Sequence, residues 1–197
     1  MNSNQTENQD KGRDVLTQKL LDARAIMISG DINQKLAQKI ATQLLILQEL
    51  GDEPVKLFLN SQGGHVEAGD TIHDLIRFIK PSVYIIGTGW VASAGVNIFL
   101  SVDKAYRFSL PNTRYMIHQP SGGAYGQSTD IAIEAKEIVK IRERINDLIS
   151  RQTGQPLERV QKDTERNFWM SAAQAVDYGI VGRVISSQSE LDDCIRN

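Results

Sequence analysis

Short apolar runs alternating with helical stretches constrain this chain more than any other feature. The runs at 25–29 (AIMIS), 55–60 (VKLFLN) and 83–88 (VYIIGT) are too short for buried helices, and each leads into glycine. Between the first two, Leu36, Ile40, Leu44 and Leu47 recur at helical spacing. Asp31 or Asn33 stands where a cap is needed, and Gly51 where the helix must stop. A second helix from about Ala68 must end before Pro81. Strands separated by helices are joined by crossovers rather than hairpins, so the pattern predicts an α/β fold with a parallel sheet.

The second half repeats the alternation in shorter pieces. A helix is expected from Ala94, and strands near 105–108 and 115–118. A Gly-rich loop at 121–128 (SGGAYGQS) precedes the longest helix, about 130–151. That helix carries Ile131, Ile138, Ile145 and Leu148 as its apolar stripe, clothed by Glu134, Lys136, Glu137, Lys140, Arg142 and Glu143. Charge all around its middle reads as a helix projecting into a partner subunit; a helix lying on its own sheet is the alternative. Pro156 opens a further helix, and Ser171 caps another that Gly179 ends. At the front, a short amphipathic helix is expected over 15–24, behind a polar arm at 1–14.

Composition excludes several classes. A chain of 197 residues suits one compact domain, and 22 Lys+Arg against 24 Asp+Glu gives a net charge of -2, with no basic field for nucleic acid. The single Cys194 cannot form an internal disulfide, and one Cys with 3 His is too few for a structural zinc site, so no metal is expected. Residues 1–14 lack the apolar core of a signal peptide, which points to the cytoplasm. The stretch between Lys80 and Asp103 is uncharged and long enough to span a bilayer. Pro81, Gly87, Gly89, Gly95 and Asn97 punctuate it, and a buried strand, turn and helix account for all of them; no membrane span is expected.

That stretch places Ser93 between a strand and a helix, where free N–H groups favour a nucleophile or an oxyanion. The G-x-S-x-G elbow is not met, because Val91 occupies its first glycine position, and Ser93 taken alone reads as a helix cap before it reads as a nucleophile. His118 ends a strand in MIHQP, a place for a general base or for a packed imidazole. His65 follows Gly63-Gly64, whereas His73 is expected on the solvated side of its helix. The two glycines allow positive φ; their N–H groups could meet an oxyanion or an extended substrate, or simply make a turn.

Four segments in order, NSQGGHVEAG at 60–69, GWVASAG at 89–95, RYMIHQPSGGAYGQSTDI at 114–131 and DTERNFWMSAAQAVDYGIV at 163–181, are similar to the ClpP family, the proteolytic subunit of the Clp protease. The likeness runs from about Ala25 to Ile185. It implies a ClpP/crotonase-type spiral β/α fold over 15–197, with a protruding strand–helix handle at about 119–151. It implies Ser93 as nucleophile, His118 as base, and Gly64 and Ala94 as oxyanion-hole donors. It also implies heptameric rings stacked into a tetradecamer, or a mixed complex with a second paralogue. Substrates would be peptides and unfolded proteins fed by an AAA+ unfoldase of the ClpX or ClpC type, which alone uses ATP; the chain itself needs no cofactor. Leu44, Phe58 and Phe78 match the family's rim pockets for unfoldase loops, and Arg166 matches its ring–ring contact.

The departures matter as much. The family's last triad residue is Asp, and Asn167 stands in its place. An Asn carbonyl can still orient an imidazole but carries no charge. Asp163 is the nearest carboxylate upstream, read as a solvated helix position. Gln62 replaces a proline; Trp90 and Val91 replace smaller or polar residues, Trp90 either reshaping the site or filling the core. The expectation is a serine endopeptidase subunit, weakly active alone. The rival is a mainly structural or regulatory subunit that lends ring geometry to an active paralogue. Crotonase-type CoA chemistry has no use for a Ser–His pair.

Overall fold

The computed structural model describes residues 15–123 and 125–196, so the expected arm at 1–14 lies outside the described residues. A helix, α1, covers 15–22. It leads to β1 (Ala25–Ile32), α2 (Gln34–Glu49), β2 (Val55–Gly64), α3 (Val66–Phe78) and β3 (Val83–Ala92). The three strands pair in parallel, Ala25 beside Lys56 and Val55 beside Val83. Of the two candidate caps, Asn33 serves α2, its side chain accepting from the Leu36 N–H. β1 runs past its expected end because Gly30, at φ +88°, takes up a register shift between Ser29 and Asp31.

β3 is the branch point of the sheet. Its first half pairs with β4 (Arg107–Ser109) and its last three residues pair with β5 (Arg114–Ile117). The Gly87 carbonyl anchors the turn between those two strands, accepting from the Leu110 N–H and the Thr113 hydroxyl, both at 2.9 Å. A Cβ on Gly87 would collide with the Tyr115 hydroxyl. Leu59 pairs with Gly87 but Ser61 with Val91, so β3 bulges between them, at Gly89 with φ +63°. The expected strand at 105–108 begins only at Arg107, after a 3₁₀ turn at Lys104–Tyr106. β6 (Phe168–Ser171) runs antiparallel to β5, and β7 (Arg183–Val184) parallel to β4.

The remaining helices are α4 (Ala94–Phe99), α5 (Ser128–Thr153), α6 (Leu157–Asp163), α7 (Ala172–Tyr178) and α8 (Gln188–Arg196). The main core fills the helix-covered face of the sheet with Leu57, Leu59, Val91, Tyr115 and Ile117. A smaller cluster of Tyr84, Ile86, Phe108, Ile185 and Leu191 lies on the other face. In α5 only Ile145, Asn146 and Ile149 are buried; Ile131, Ile133 and Val139 in its first half are exposed. A strand was expected in the handle, but among the described residues 121–127 contain none. Gly122 and Gly123 lose more entropy than other residues on becoming extended, and no neighbouring strand rewards them. At the other end of α5 the buried Arg107 donates to the Gln152 carbonyl at 2.9 Å. Burial pulls that guanidinium down to about 10, which leaves it charged at neutral pH beside a helix C-terminus. Among the described residues no helix is long and apolar enough to cross a membrane, and no group of three His, Cys, Asp or Glu could hold a metal ion.

Candidate active site

β3 continues straight to Ser93, which turns the chain into α4 at φ 56°, ψ -126°. A non-glycine residue in that region stores about 1–3 kcal/mol of strain. Its neighbours hold it there: the Ser93 N–H donates to the Met116 carbonyl, and its own carbonyl accepts from the Val96 N–H, both at 2.9 Å. Gly63 of β2 passes beneath. A Cβ on Gly63 would sit 2.5 Å from the Ser93 Cβ and 2.8 Å from the Ala92 carbonyl oxygen. The close approach that the elbow signature assigns to its own glycine is made here from the neighbouring strand, so Val91 can be core. The Ser93 side chain makes no capping bond, which removes the cap reading.

His118 lies one residue beyond β5. Its Nε2 is 2.8 Å from Ser93 Oγ, and its Nδ1 is 3.1 Å from Asn167 Oδ1. With Nδ1–H donating to Asn167, Nε2 is left to accept the Ser93 hydroxyl proton. The ladder explains the second contact: Met116 faces Trp169 and Ile117 faces Phe168, so the next pair in register is His118 and Asn167. The neighbouring segment is fastened by Gln119, whose N–H donates to the Thr164 carbonyl at 2.6 Å and whose amide donates to the Glu165 carbonyl at 2.9 Å. Arg142 of α5 reaches the Gln119 Oε1 at 3.4 Å. Sequence reasoning missed Gln119; the one signal was a polar residue held between the histidine and Pro120.

Asp163 is not solvated. It accepts from the Tyr178 hydroxyl at 3.0 Å and meets Arg159 at 3.5 Å, so its carboxylate is engaged away from His118. Burial first, then Asp163, pushes the Tyr178 phenol up. His73 is not on a solvated face either: it is half-buried, and its Nδ1 is 2.7 Å from the Asn97 carbonyl on α4. His65 pairs with Glu67 at 3.2 Å beside Gly64, at the edge of an open cleft of about 580 Å³ that Pro120–Gly123 and Ile138 close. Behind Ser93, Val66, Val96, Ile117, Ile145 and Ile149 enclose about 20 Å³ more. Ala94 lines that inner space and opens α4, so its N–H precedes the first helical bond.

Trp90 does not fill the core. It is 41% exposed and stacks on Trp169, ring centroids 6.2 Å apart and planes 7° from parallel. The docking positions separate. Leu44 is fully buried in the main core with Leu57 and Leu59, and is withdrawn as a docking residue, because its helix turns that position onto the sheet. Phe58 alternates to the opposite face and packs on the smaller cluster, while Phe78 is 72% exposed. Arg166 is exposed.

A serine on a strained strand-to-helix turn, hydrogen-bonded to a histidine that a third side chain orients, is the arrangement of a serine peptidase. Residues 7–188 match the family described as Clp protease, and the chain belongs to it. Among its relatives, ATP-dependent Clp protease proteolytic subunit 3 of Rhizobium johnstonii is 52% identical over 172 residues, 87% of this chain and 89% of the relative. The ATP-dependent Clp protease proteolytic subunit of Paracoccus denitrificans is 51% identical over 166 residues, 84% of this chain and 83% of the relative. ClpP1 from Listeria monocytogenes has the same fold, with TM-score 0.81 and 57% identity over 89% of this chain and 99% of that one. A structure of an Asn-to-Asp mutant of that protein matches at TM-score 0.84, with the same identity and coverage.

Proposed function

We propose that this chain is a serine endopeptidase subunit of a compartmentalised protease, working through Ser93, His118 and Asn167. The observation that carries the reading is the 2.8 Å contact between Ser93 Oγ and His118 Nε2. His118 takes the hydroxyl proton as Ser93 attacks the peptide carbonyl. The N–H groups of Gly64 and Ala94 receive the oxyanion, and His118 returns the proton to the leaving amine. Water, activated by the same imidazole, then releases the acyl group. Asn167 keeps Nδ1–H pointing away from Ser93 but offers no charge to the imidazolium.

A serine-reactive phosphonate tests this directly. Labelling confined to Ser93, with loss of peptidase activity in step, is expected; folded protein that takes no label at Ser93 overturns the reading. The second reading, a weakly active subunit that mainly shapes a ring shared with a paralogue, is favoured by one observation: Asn167 is neutral and exposed, so its bond to His118 is neither charge-assisted nor shielded from water. The relatives' names, numbered subunits of an ATP-dependent protease, support a ring assembly and an ATP-using unfoldase as partners. Phe78 and Phe58 are the apolar groups this chain offers to an unfoldase loop.

Arg166 is assigned to the contact between stacked rings, one residue from Asn167. Arg166→Ala is expected to shift the sedimenting species from tetradecamer to heptamer and to lower peptidase activity in the same samples. An isolated exposed ion pair is worth at most about 1 kcal/mol and would leave both unchanged. A variant that stays tetradecameric at full rate removes the coupling between stacking and the triad.

A further inference from the structure

The chain has 2 tryptophans, and they form one stack, Trp90 exposed and Trp169 half-buried. The Arg114 guanidinium lies 4.3 Å from the centre of the Trp169 ring. Strand register places this group beside the catalytic side chains. Trp90 pairs with Arg114, which faces Ser171; Ala92 pairs with Met116, which faces Trp169. The next row is His118 and Asn167. Alternate residues of a strand share a face, so Trp90, Arg114, Trp169, His118 and Asn167 occupy one face of the sheet. The stack therefore bridges β3, which leads into the nucleophile, and β6, which starts directly after Asn167. It passes over β5, which leads into the base.

The backbone directs Trp90 to this place. Gly89 at φ +63° makes the bulge, and the Trp90 N–H is held by the Asn60 side chain at 3.3 Å. On the N-terminal side of Asn167 the segment is fastened by Gln119. On the C-terminal side it has the short β6 ladder and this stack. A neutral Asn–His bond in an exposed position resists displacement less than a carboxylate–imidazole bond does. The geometry points to Trp90, Trp169 and Arg114 as positioning residues that hold β6 against β3 and so keep Asn167 Oδ1 on His118 Nδ1. The inference rests on the peptidase reading above and adds to it a set of residues that act through Asn167.

The test is a double-mutant cycle on the assembled protein, reading peptide kcat and KM, the rate of phosphonate labelling, and sedimentation. Trp90→Leu is expected to lower kcat and the labelling rate about tenfold with KM unchanged, since an aromatic pair adds a modest but directional term. Trp90→Phe, which keeps a ring in the stack, should recover to within about twofold, and Arg114→Gln, which removes the cation, should cost about threefold. In an Asn167→Asp background, where charge holds the imidazole, the Trp90→Leu loss should shrink below about threefold. Near-ultraviolet circular dichroism should change in Trp90→Leu but not in Ser93→Ala, because both indoles belong to the stack. Equal losses in the two backgrounds, or no loss, overturn the proposal. Should wild-type Ser93 take no label, the peptidase reading fails on its own; crystal structures then decide. Asn167 displaced from His118 in Trp90→Leu supports the stack as its clamp, and Asn167 retained at hydrogen-bond distance rejects it. Should Trp90→Leu not fold, Trp90→Phe and Arg114→Gln carry the same comparison.

Discussion

Asn167→Asp is expected to raise kcat on a short peptide at least about tenfold, with KM little changed. In another serine protease the reverse change costs about 10⁴-fold, largely because the amide lets the imidazole take the wrong tautomer. Here Asn167 Oδ1 faces His118 Nδ1 at 3.1 Å, an arrangement that favours the Nδ1–H tautomer, so that part of the loss is expected to be small. What remains is charge. A carboxylate at the same distance would stabilise the imidazolium that forms as Ser93 attacks, an effect absent from the ground state and therefore expressed in kcat. The position is exposed, and solvent screens part of the benefit. The gain should thus fall well below 10⁴-fold and diminish as salt is raised. Steady-state kinetics at two ionic strengths, with sedimentation to hold assembly constant, measure it. An unchanged rate would mean that site shape or assembly limits turnover.

The sheet was legible because its first three strands are written as apolar runs, and helical spacing between them forbids hairpins. The branch at β3 was not. Gly89 follows that run and reads as its end, whereas the strand continues to Ala92 and changes partner after Gly87. Only tertiary contacts, the Gly87 carbonyl holding Leu110 and Thr113, show that the glycines bend the strand rather than stop it. Burial on one helix face was readable for Leu44 but was overridden by its match to a docking position. Two polar side chains were misjudged because the groups that claim them are set by tertiary packing. The Asn97 carbonyl claims His73, and Tyr178 and Arg159 claim Asp163. Of the two readings of Trp90, only the core one is excluded, and the reason is instructive. A large aromatic in an apolar run reads as core, but a bulge just before it turns it outward onto Trp169, and no periodicity records a bulge.

The site itself was half legible. Ser93 and His118 each stood at a strand end, and neither alone could be told from a structural residue. What joins them is that β5 lies beside the last residues of β3, and that β6 returns antiparallel to bring Asn167 opposite His118. The role of Gly63 followed from neither motif nor spacing, since the atoms it must avoid belong to Ser93 and Ala92, thirty residues along the chain.

Ser93→Ala is expected to lower turnover by at least about 10⁴-fold, since loss of the nucleophile in a triad removes nearly all that the triad contributes. Ser93→Gly should lose the same activity, yet the two variants should part in stability. Ser93 is held at φ 56°, a conformation that alanine shares only under strain and glycine adopts freely. Relief of about 1–3 kcal/mol of strain is opposed by about 0.5–1 kcal/mol of added unfolded-state entropy. The balance favours the glycine variant, by an amount that in a chain of this size shifts the melting temperature upward by about 2–4 °C per kcal/mol. Ser93→Ala keeps the strain and should melt close to the parent protein. Calorimetry on the two variants at one protein concentration separates these outcomes. A glycine variant that melts below the alanine variant would show that the elbow is not strained. Activity surviving Ser93→Ala in pure protein would remove Ser93 as the nucleophile, whatever the stabilities show.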